Sequence, residues 1–359
     1  VKDEKQTIDE LLDFNEETNV EISKDIRKGI IKSVYIRVLI SLVVIALLVV
    51  GGYFGASKIY KAVHYNPFNE TINGTIIGDY TKNETPEFDV LMSAYYDLSS
   101  PGYSYDKSNS IKYSGFGNYE VIGSTYNRFD GKQQQTNFQI KDSKQTNVIS
   151  EVEGLEHFLY DDNPEGAPED HQWENYGKEE FIALVNELPD SSRMSVSVTF
   201  IEGMDFRAFA EFENKYKNTS YQYLATSLMS FNSNLGDEHT LTTSAVVMAG
   251  FSPITQYDDK FISEKYPYLD IGMISDGEDL WQHYISLVRL LVDNKEFVDM
   301  LDTENEGLYD RYNSILNCLE NGSASVSGAR ITVNKQDMLD MIESGVIRYA
   351  VYEDVKLSK

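Results

Sequence analysis

Val38 to Ser57 is a run of 20 residues without a single charge, dominated by Val, Leu and Ile. As a helix it is about 30 Å long, the thickness of a bilayer's hydrocarbon core, so one membrane crossing is expected here. Lys24, Arg27, Lys28, Lys32 and Arg37 precede the run, and only Lys58 and Lys61 follow it closely. Five basic residues against two predict an amino end on the cytoplasmic side. Tyr35, Tyr53 and Tyr60 suit the two interfaces, where a phenol sits ring inward and hydroxyl outward. The competing reading is a cleaved signal peptide with Gly55-Ala56-Ser57 as its small-residue site. Against it stands the polar lead of about 37 residues, longer than a typical signal n-region. The chain begins with Val rather than Met, so further residues are expected ahead of it.

The charge is unevenly divided about this run. Nine basic and nine acidic residues cancel within residues 1–61, so the whole formal net charge of −27 lies in residues 62–359. Such acidity repels nucleic acid, which is bound by Lys and Arg displacing counterions. Cys318 is the sole cysteine, which excludes an intramolecular disulfide and with it a disulfide-stapled ectodomain. It falls in the helical stripe Tyr312, Ile315, Leu316, Leu319 and reads as a small buried apolar group.

Four stretches follow: a cytoplasmic segment at 1–33, the membrane helix at 34–57, a membrane-proximal extracytoplasmic β-rich region at 58–185, and a further domain at 186–359. In the first, Ile8, Leu11 and Leu12 have helical spacing and predict one short amphipathic helix. Residues 62–90 are polar and rich in Asn and Thr, which predicts a stalk; three sequon matches there (Asn69, Asn73, Asn83) are near the chance level. From about 103 to 150, Tyr, Phe, Ile and Thr alternate with polar residues between Gly-bearing turns, as antiparallel strands do. Beyond an acidic Pro/Gly loop at 161–172, helices are expected at Lys178–Leu188, Asp205–Tyr216, Glu278–Leu301 and Asn305–Glu320. Strands are expected at Met194–Phe200, Thr243–Phe251 and Val326–Val333. Asn334 then caps a helix to Glu343, Gly345 ends it, and Val346–Val351 returns as a strand, half of a ferredoxin-like unit. The class is α+β: one amino-terminal membrane helix, then an extracytoplasmic mixed or antiparallel sheet domain with helices and a closing β-α-β unit.

Chemistry is sparse. His64, His157, His171, His239 and His283 are scattered, with no i, i+4 pair of the kind that holds zinc. No serine stands in a nucleophile elbow, and Gly115-Phe116-Gly117 is a turn signal rather than a phosphate loop. Asp161, Asn163, Glu165 and Gly166 match four positions of a calcium loop. Gln172 then stands where a bidentate Glu is required, so a solvated acidic loop is the better reading. No enzyme, cofactor or resident metal is expected.

The leader Lys32-Ser-Val-Tyr35-Ile-Arg37-Val into the anchor is similar to that of a known family. So are Leu188-Pro189-Asp190 before a strand and helix, Gly250-Phe251-Ser252-Pro253, Asp276-Gly277 opening a long helix, and the closing Ala324–Val333 and Val346–Val351 strands. Over residues 32–60 and 186–359 the chain resembles membrane-bound anti-sigma factors of Firmicutes that carry sigma factor regulator amino- and carboxy-terminal domains. The resemblance implies a negative regulator whose cytoplasmic end holds an extracytoplasmic-function sigma factor away from RNA polymerase while its outer domain senses the envelope. This cytoplasmic end is short and has no His or Cys, so a zinc-type anti-sigma domain is excluded. Sigma factor contact would rest on Ile8, Leu11, Leu12, Phe14 and flanking charges, with or without a second membrane protein to complete it. The alternative is an anchored extracellular binding or accessory protein without sigma factor contact.

Overall fold

The protein is described by a computed structural model covering residues 2–68, 87–146, 178–230, 245–253, 257, 265–269, 276–303, 305–322 and 324–357, with the side chains of the first helix described from Arg27 onward. It divides into two units, Val1–Val63 and His64–Lys359.

The first unit is one helix, α1 (Lys2–Val63). The short amphipathic helix and the membrane helix expected separately are continuous. Nothing between them breaks a helix: there is no proline, and Gly29 is the only glycine before the apolar run. At 1.5 Å per residue α1 is about 93 Å long.

The second unit opens with Tyr65 and Phe68 against its own core and then α2 (Glu87–Ser99), whose Phe88, Leu91, Met92 and Ala94 are fully buried. The stalk expected over 62–90 is therefore corrected at both its ends; residues 69–86, with the sequon matches, lie outside the described residues. An antiparallel meander follows: β1 (Tyr103–Gly115), β2 (Asn118–Asn127), β3 (Gln133–Lys141) and β4 (Lys144–Thr146), paired in sequence order. Two of its turns are two-residue hairpin loops with both residues left-handed, Phe116 (φ 50°) with Gly117 (φ 73°) and Asp142 (φ 49°) with Ser143 (φ 64°). That backbone matches the twist of the flanking strands. The acidic 161–172 loop and its calcium-like spacing lie outside the described residues.

After α3 (Lys178–Glu187) come β5 (Ser192–Met204), α4 (Phe206–Lys215), β6 (Ser220–Ser230), β7 (Ala245–Phe251), α5 (Gly277–Asp293), α6 (Lys295–Leu301), α7 (Leu308–Glu320), β8 (Ala324–Asn334), α8 (Lys335–Glu343) and β9 (Ile347–Leu357). Caps explain several starts: Asp205 accepts from the Ala208 N–H, Asp276 from those of Glu278 and Asp279, and Asn334 from that of Asp337. The single helix expected over Glu278–Leu301 breaks at Asn294, which leaves helical geometry (φ −110°, ψ 58°) while its side-chain amide donates to the Leu290 carbonyl. The apolar spacing runs on through this break, which is why periodicity alone misses it. The last strand also runs past Val351, to Leu357.

The five strands are ordered β7-β6-β8-β5-β9, every neighbouring pair antiparallel. β5-α4-β6 and β8-α8-β9 are thus two β-α-β units, each with a strand of the other between its own two. The closing half-unit anticipated from sequence is one of a pair, the split arrangement of ferredoxin-like topology, with β7 added at the edge and α5–α7 inserted. On one face Met194, Val196 and Val198 sit opposite Val333, Ile331 and Ala329. All six are buried, against Phe209 of α4, Met338, Met341 and Ile342 of α8, and Phe181 and Val185 of α3. Burying each such large side chain contributes about 1.5–3 kcal/mol. The other face is polar: Ser195, Ser197 and Thr199 opposite Thr332, Arg330 and Gly328. Glu353 accepts from the Ser197 hydroxyl at 2.5 Å and pairs with Arg330.

The two sheets belong to one unit. Phe88 of α2 packs edge-on against Phe297 of α6 and tilted against Phe138 of β3. Lys144 on β4 donates to the carbonyls of Asp299 and Asp302. The division expected at 185/186 falls within α3, between the two sheets of this one unit.

Candidate functional site

α1 contains a candidate membrane span, Arg27–Tyr60, whose most apolar 18 residues have a mean hydropathy of 2.7 and are not buried at all. Leu39, Leu47 and Leu48 are each about two-thirds exposed. An apolar surface of this length has no favourable place in water, and the helix is long and apolar enough to cross a membrane. Ile8, Leu11, Leu12 and Phe14 fall on the same helix, amino-terminal to this stretch; their side chains lie outside the described residues.

In the second unit a cavity of about 520 Å³ opens among α2, β7, α5 and α7. Leu98, Ala249, Val288, Leu301 and Ile315 supply its apolar wall. Tyr95, Tyr284 and Tyr312 add three phenols, and Arg311, exposed, lies close enough to favour the ionised form of each. Burial outweighs that pull and raises all three above the ordinary phenol value. They are therefore neutral hydrogen-bond donors at any physiological pH. β7 approaches closely here: a Cβ on Gly250 would sit 2.4 Å from the Leu224 carbonyl and from the Tyr223 ring.

Beside the cavity, α2 carries a buried ion pair. Arg128 Nη2 lies 2.7 Å from Asp97 Oδ1, with both side chains withdrawn from solvent. Arg128 also donates to the Ser252 hydroxyl (2.6 Å) and the Tyr103 carbonyl (3.2 Å), and the Tyr257 hydroxyl donates to Asp97 Oδ2 (2.6 Å). The Ser252 amide donates to the Asp97 carbonyl. Burial first, then the Asp97 charge, holds the Tyr257 phenol well above its usual range. His283 adjoins this cluster, fully buried, with Nδ1 2.6 Å from the Tyr268 carbonyl and Nε2 3.4 Å from that of Ser252. Desolvation pushes its pKa below 6.5 despite those carbonyls and Asp97, which act the other way.

Of these residues the sequence marks Tyr312 and Ile315 by their helical stripe, Gly250 and Ser252 within Gly250–Pro253, and His283 as one of five scattered histidines, but nothing in it brings them together. Asp97 stands among Tyr95, Tyr96 and Leu98 in the last turn of α2, and a charge in that apolar setting is the one local signal of the ion pair. His64 lies 4.0 Å from Asp142, while His157, His171 and His239 lie outside the described residues. Among the described residues no group of three or more His, Cys, Asp or Glu is placed to hold a metal ion. Cys318 is buried. Comparison of the chain with family models, with curated proteins and with solved structures finds no match in any of the three.

Proposed function

We propose that the chain is a single-pass membrane regulator whose amino-terminal end lies in the cytoplasm and binds a transcription factor of the extracytoplasmic-function sigma class, while the acidic unit from His64 onward faces the outside and senses the envelope. The observation that carries the reading is the unbroken helix α1, which joins Ile8, Leu11, Leu12 and Phe14 to the apolar stretch without a hinge. A continuous helix passes a shift or rotation from one end to the other, where a loop would absorb it. The basic residues Arg27, Lys28, Lys32 and Arg37 ahead of the apolar core favour the cytoplasmic assignment of that end. The family resemblance supports the identity of the partner. Sequestration on this reading is non-catalytic: an apolar helix face covers a polymerase-binding surface.

The test is co-purification of the full chain with candidate sigma factors, together with sigma-dependent reporter activity after deletion of the gene. Capture of one sigma factor, lost in Leu11→Asp/Leu12→Asp, and a rise in its reporter on deletion are expected. If deletion leaves every sigma-dependent promoter unchanged, the regulator reading is wrong. Reporter fusions at both ends check orientation independently. The 520 Å³ cavity favours a second reading, an anchored extracellular binding protein with no sigma factor contact. Normal membrane insertion without any promoter response would select it.

A further inference from the structure

We propose that α1 holds one anionic phospholipid on the amino-terminal side of its apolar run, with the phosphate at Lys32 and an acyl chain along Ile36 and Leu39. The proposal rests on the reading that α1 spans a bilayer. A hollow of about 490 Å³ lies on this face of the helix, lined by Lys28, Ile31, Lys32, Tyr35, Ile36 and Leu39. All six are exposed. Lys28, Lys32, Tyr35 and Leu39 follow one another at intervals of four, three and four residues, so they form a single stripe that leads from the polar segment into the apolar one.

The chemistry of the stripe changes along its length in the order that a phospholipid's does. Val38 opens the uncharged run and marks the edge of the hydrocarbon. Leu39 lies just inside that edge, Ile36 about 3 Å outside it, Tyr35 about 4.5 Å and Lys32 about 9 Å. The polar layer of a bilayer is about 5–8 Å deep on each side. The phenol of Tyr35 therefore stands at headgroup depth, and the four-carbon stem of Lys32 is long enough to bring its ammonium back to the phosphates.

The charge on this side of α1 is of one sign. From Ile26 to its end at Val63 the helix has six Lys and Arg and no Asp or Glu, in a chain whose net charge is −27. The nearest acidic residue on the helix, Asp25, precedes Lys32 by about 10 Å along the axis. Lys28 has an interaction of its own, so the charge of the site rests on Lys32, which has no ion pair among the described residues. A zwitterionic lipid offers the same phosphate but brings its own cation, which cancels the attraction. A water-soluble acidic partner could meet Lys32 but would leave Ile36 and Leu39 facing hydrocarbon.

The experiment has two arms. Flotation of the full chain with phosphatidylcholine vesicles tests the spanning reading by itself: the chain should rise with them and resist extraction by alkaline carbonate. Native mass spectrometry of the full chain in neutral detergent, with equimolar phosphatidylglycerol and phosphatidylcholine, then counts the first lipid bound. Phosphatidylglycerol should be favoured about fivefold, the effect of one basic residue at a membrane surface, although the net charge of the chain opposes it. Lys32→Gln should bring the two lipids to parity and Lys32→Arg should keep the preference. Lys217→Gln, which removes the same charge from an exposed position in the second unit, should leave it unchanged. Equal binding of the two lipids, or a preference that Lys32→Gln leaves intact, overturns the proposal while the flotation result stands. A chain that does not float overturns the spanning reading and the proposal with it.

Discussion

Replacing Asp97 by Asn removes a charge from the interior while keeping the shape that surrounds it. The amide oxygen still accepts from Arg128 Nη2, and its NH₂ faces the Tyr257 hydroxyl, which turns to accept. What remains is a guanidinium with no exposed surface, held by Ser252 and the Tyr103 carbonyl but lacking its counter-ion. Breaking one side of such a buried pair costs about 3–5 kcal/mol, because the surviving charge stays desolvated. An ordinary domain has about 5–15 kcal/mol in total, so a fifth or more of the unit's stability is at stake. Arg128→Met should cost a similar amount, now leaving the buried carboxylate without the guanidinium charge. The double replacement Asp97→Asn/Arg128→Met removes both charges, and should be less destabilising than the sum of the singles by about 2 kcal/mol or more. Urea unfolding of the detergent-solubilised full chain at pH 7, followed by tryptophan fluorescence, measures all three. Trp281 reports from α5, edge-on to Phe206. A single variant within about 1 kcal/mol of the parent, or singles that add, would show that the pair is not isolated from water and would refute the reasoning.

Two further outcomes follow from groups in the same unit. His283 is neutral and buried with its pKa held below 6.5, so the unfolded chain binds a proton that the folded one resists; stability is fully present above about pH 6.5 and falls as the pH drops through the depressed folded value, by at most about 1.4 kcal/mol per pH unit. Urea midpoints between pH 7.5 and 5 should fall more steeply for the parent than for His283→Gln, and parallel slopes would exclude His283 as the cause. Gly250→Ala places a methyl 2.4 Å from the Leu224 backbone oxygen, which cannot swing aside as a side chain would, and should cost about 1–3 kcal/mol in the same assay; a loss below about 0.5 kcal/mol would mean that β6 and β7 separate without strain.

What the sequence made legible was local. Asp205 and Asn334 stand immediately before amphipathic periods, and both cap the helices they precede, because capping needs only a side-chain oxygen three residues from an amide. Alternation along Met194–Phe200 disclosed β5 for the same reason: one strand's pleat is written in consecutive residues. α2 was not legible. Glu87 and Asp89 extend the polar stretch before it, yet both are buried in the fold, so its first turn reads as more of that stretch. Asn294 was hidden in the opposite way, since a helix that breaks and resumes leaves the apolar spacing intact. Strand order lies further still from the sequence. The insertion of β8 between β5 and β6 is fixed by pairing across more than a hundred residues, and no window contains it. The ion pair belongs to this class: Asp97 reaches Arg128 across 31 residues and Tyr257 across 160.

The distribution of these long-range contacts bears on how a domain with one cysteine stays together. A four-stranded meander has little core of its own, and the second sheet presents to its surroundings a face of Ser, Thr and Arg side chains rather than an apolar one. Buried side chains of both sheets share one core, and the element packed against both is α2. Its first turn wedges Phe88 between Phe138 and Phe297; its last turn carries Asp97 to Arg128 at the end of β2 and, through the backbone, to Ser252 at the end of β7. A disulfide would hold such a junction irreversibly. An ion pair with hydrogen-bonded flanks holds it directionally, and releases it whenever one partner is displaced. Tyr95, Leu98 and Ser99 on that same last turn line the cavity, so the cavity wall and the ion pair share one rigid piece of backbone. A helix turn moves as a body, and what is bound on one side of it is felt at the hydrogen bonds on the other. The Asp97→Asn protein consequently separates two roles for α2: if the turn is only a brace, stability falls and the cavity side chains keep their places; if it is also a lever, the loss of the pair disturbs the cavity in the fraction that remains folded.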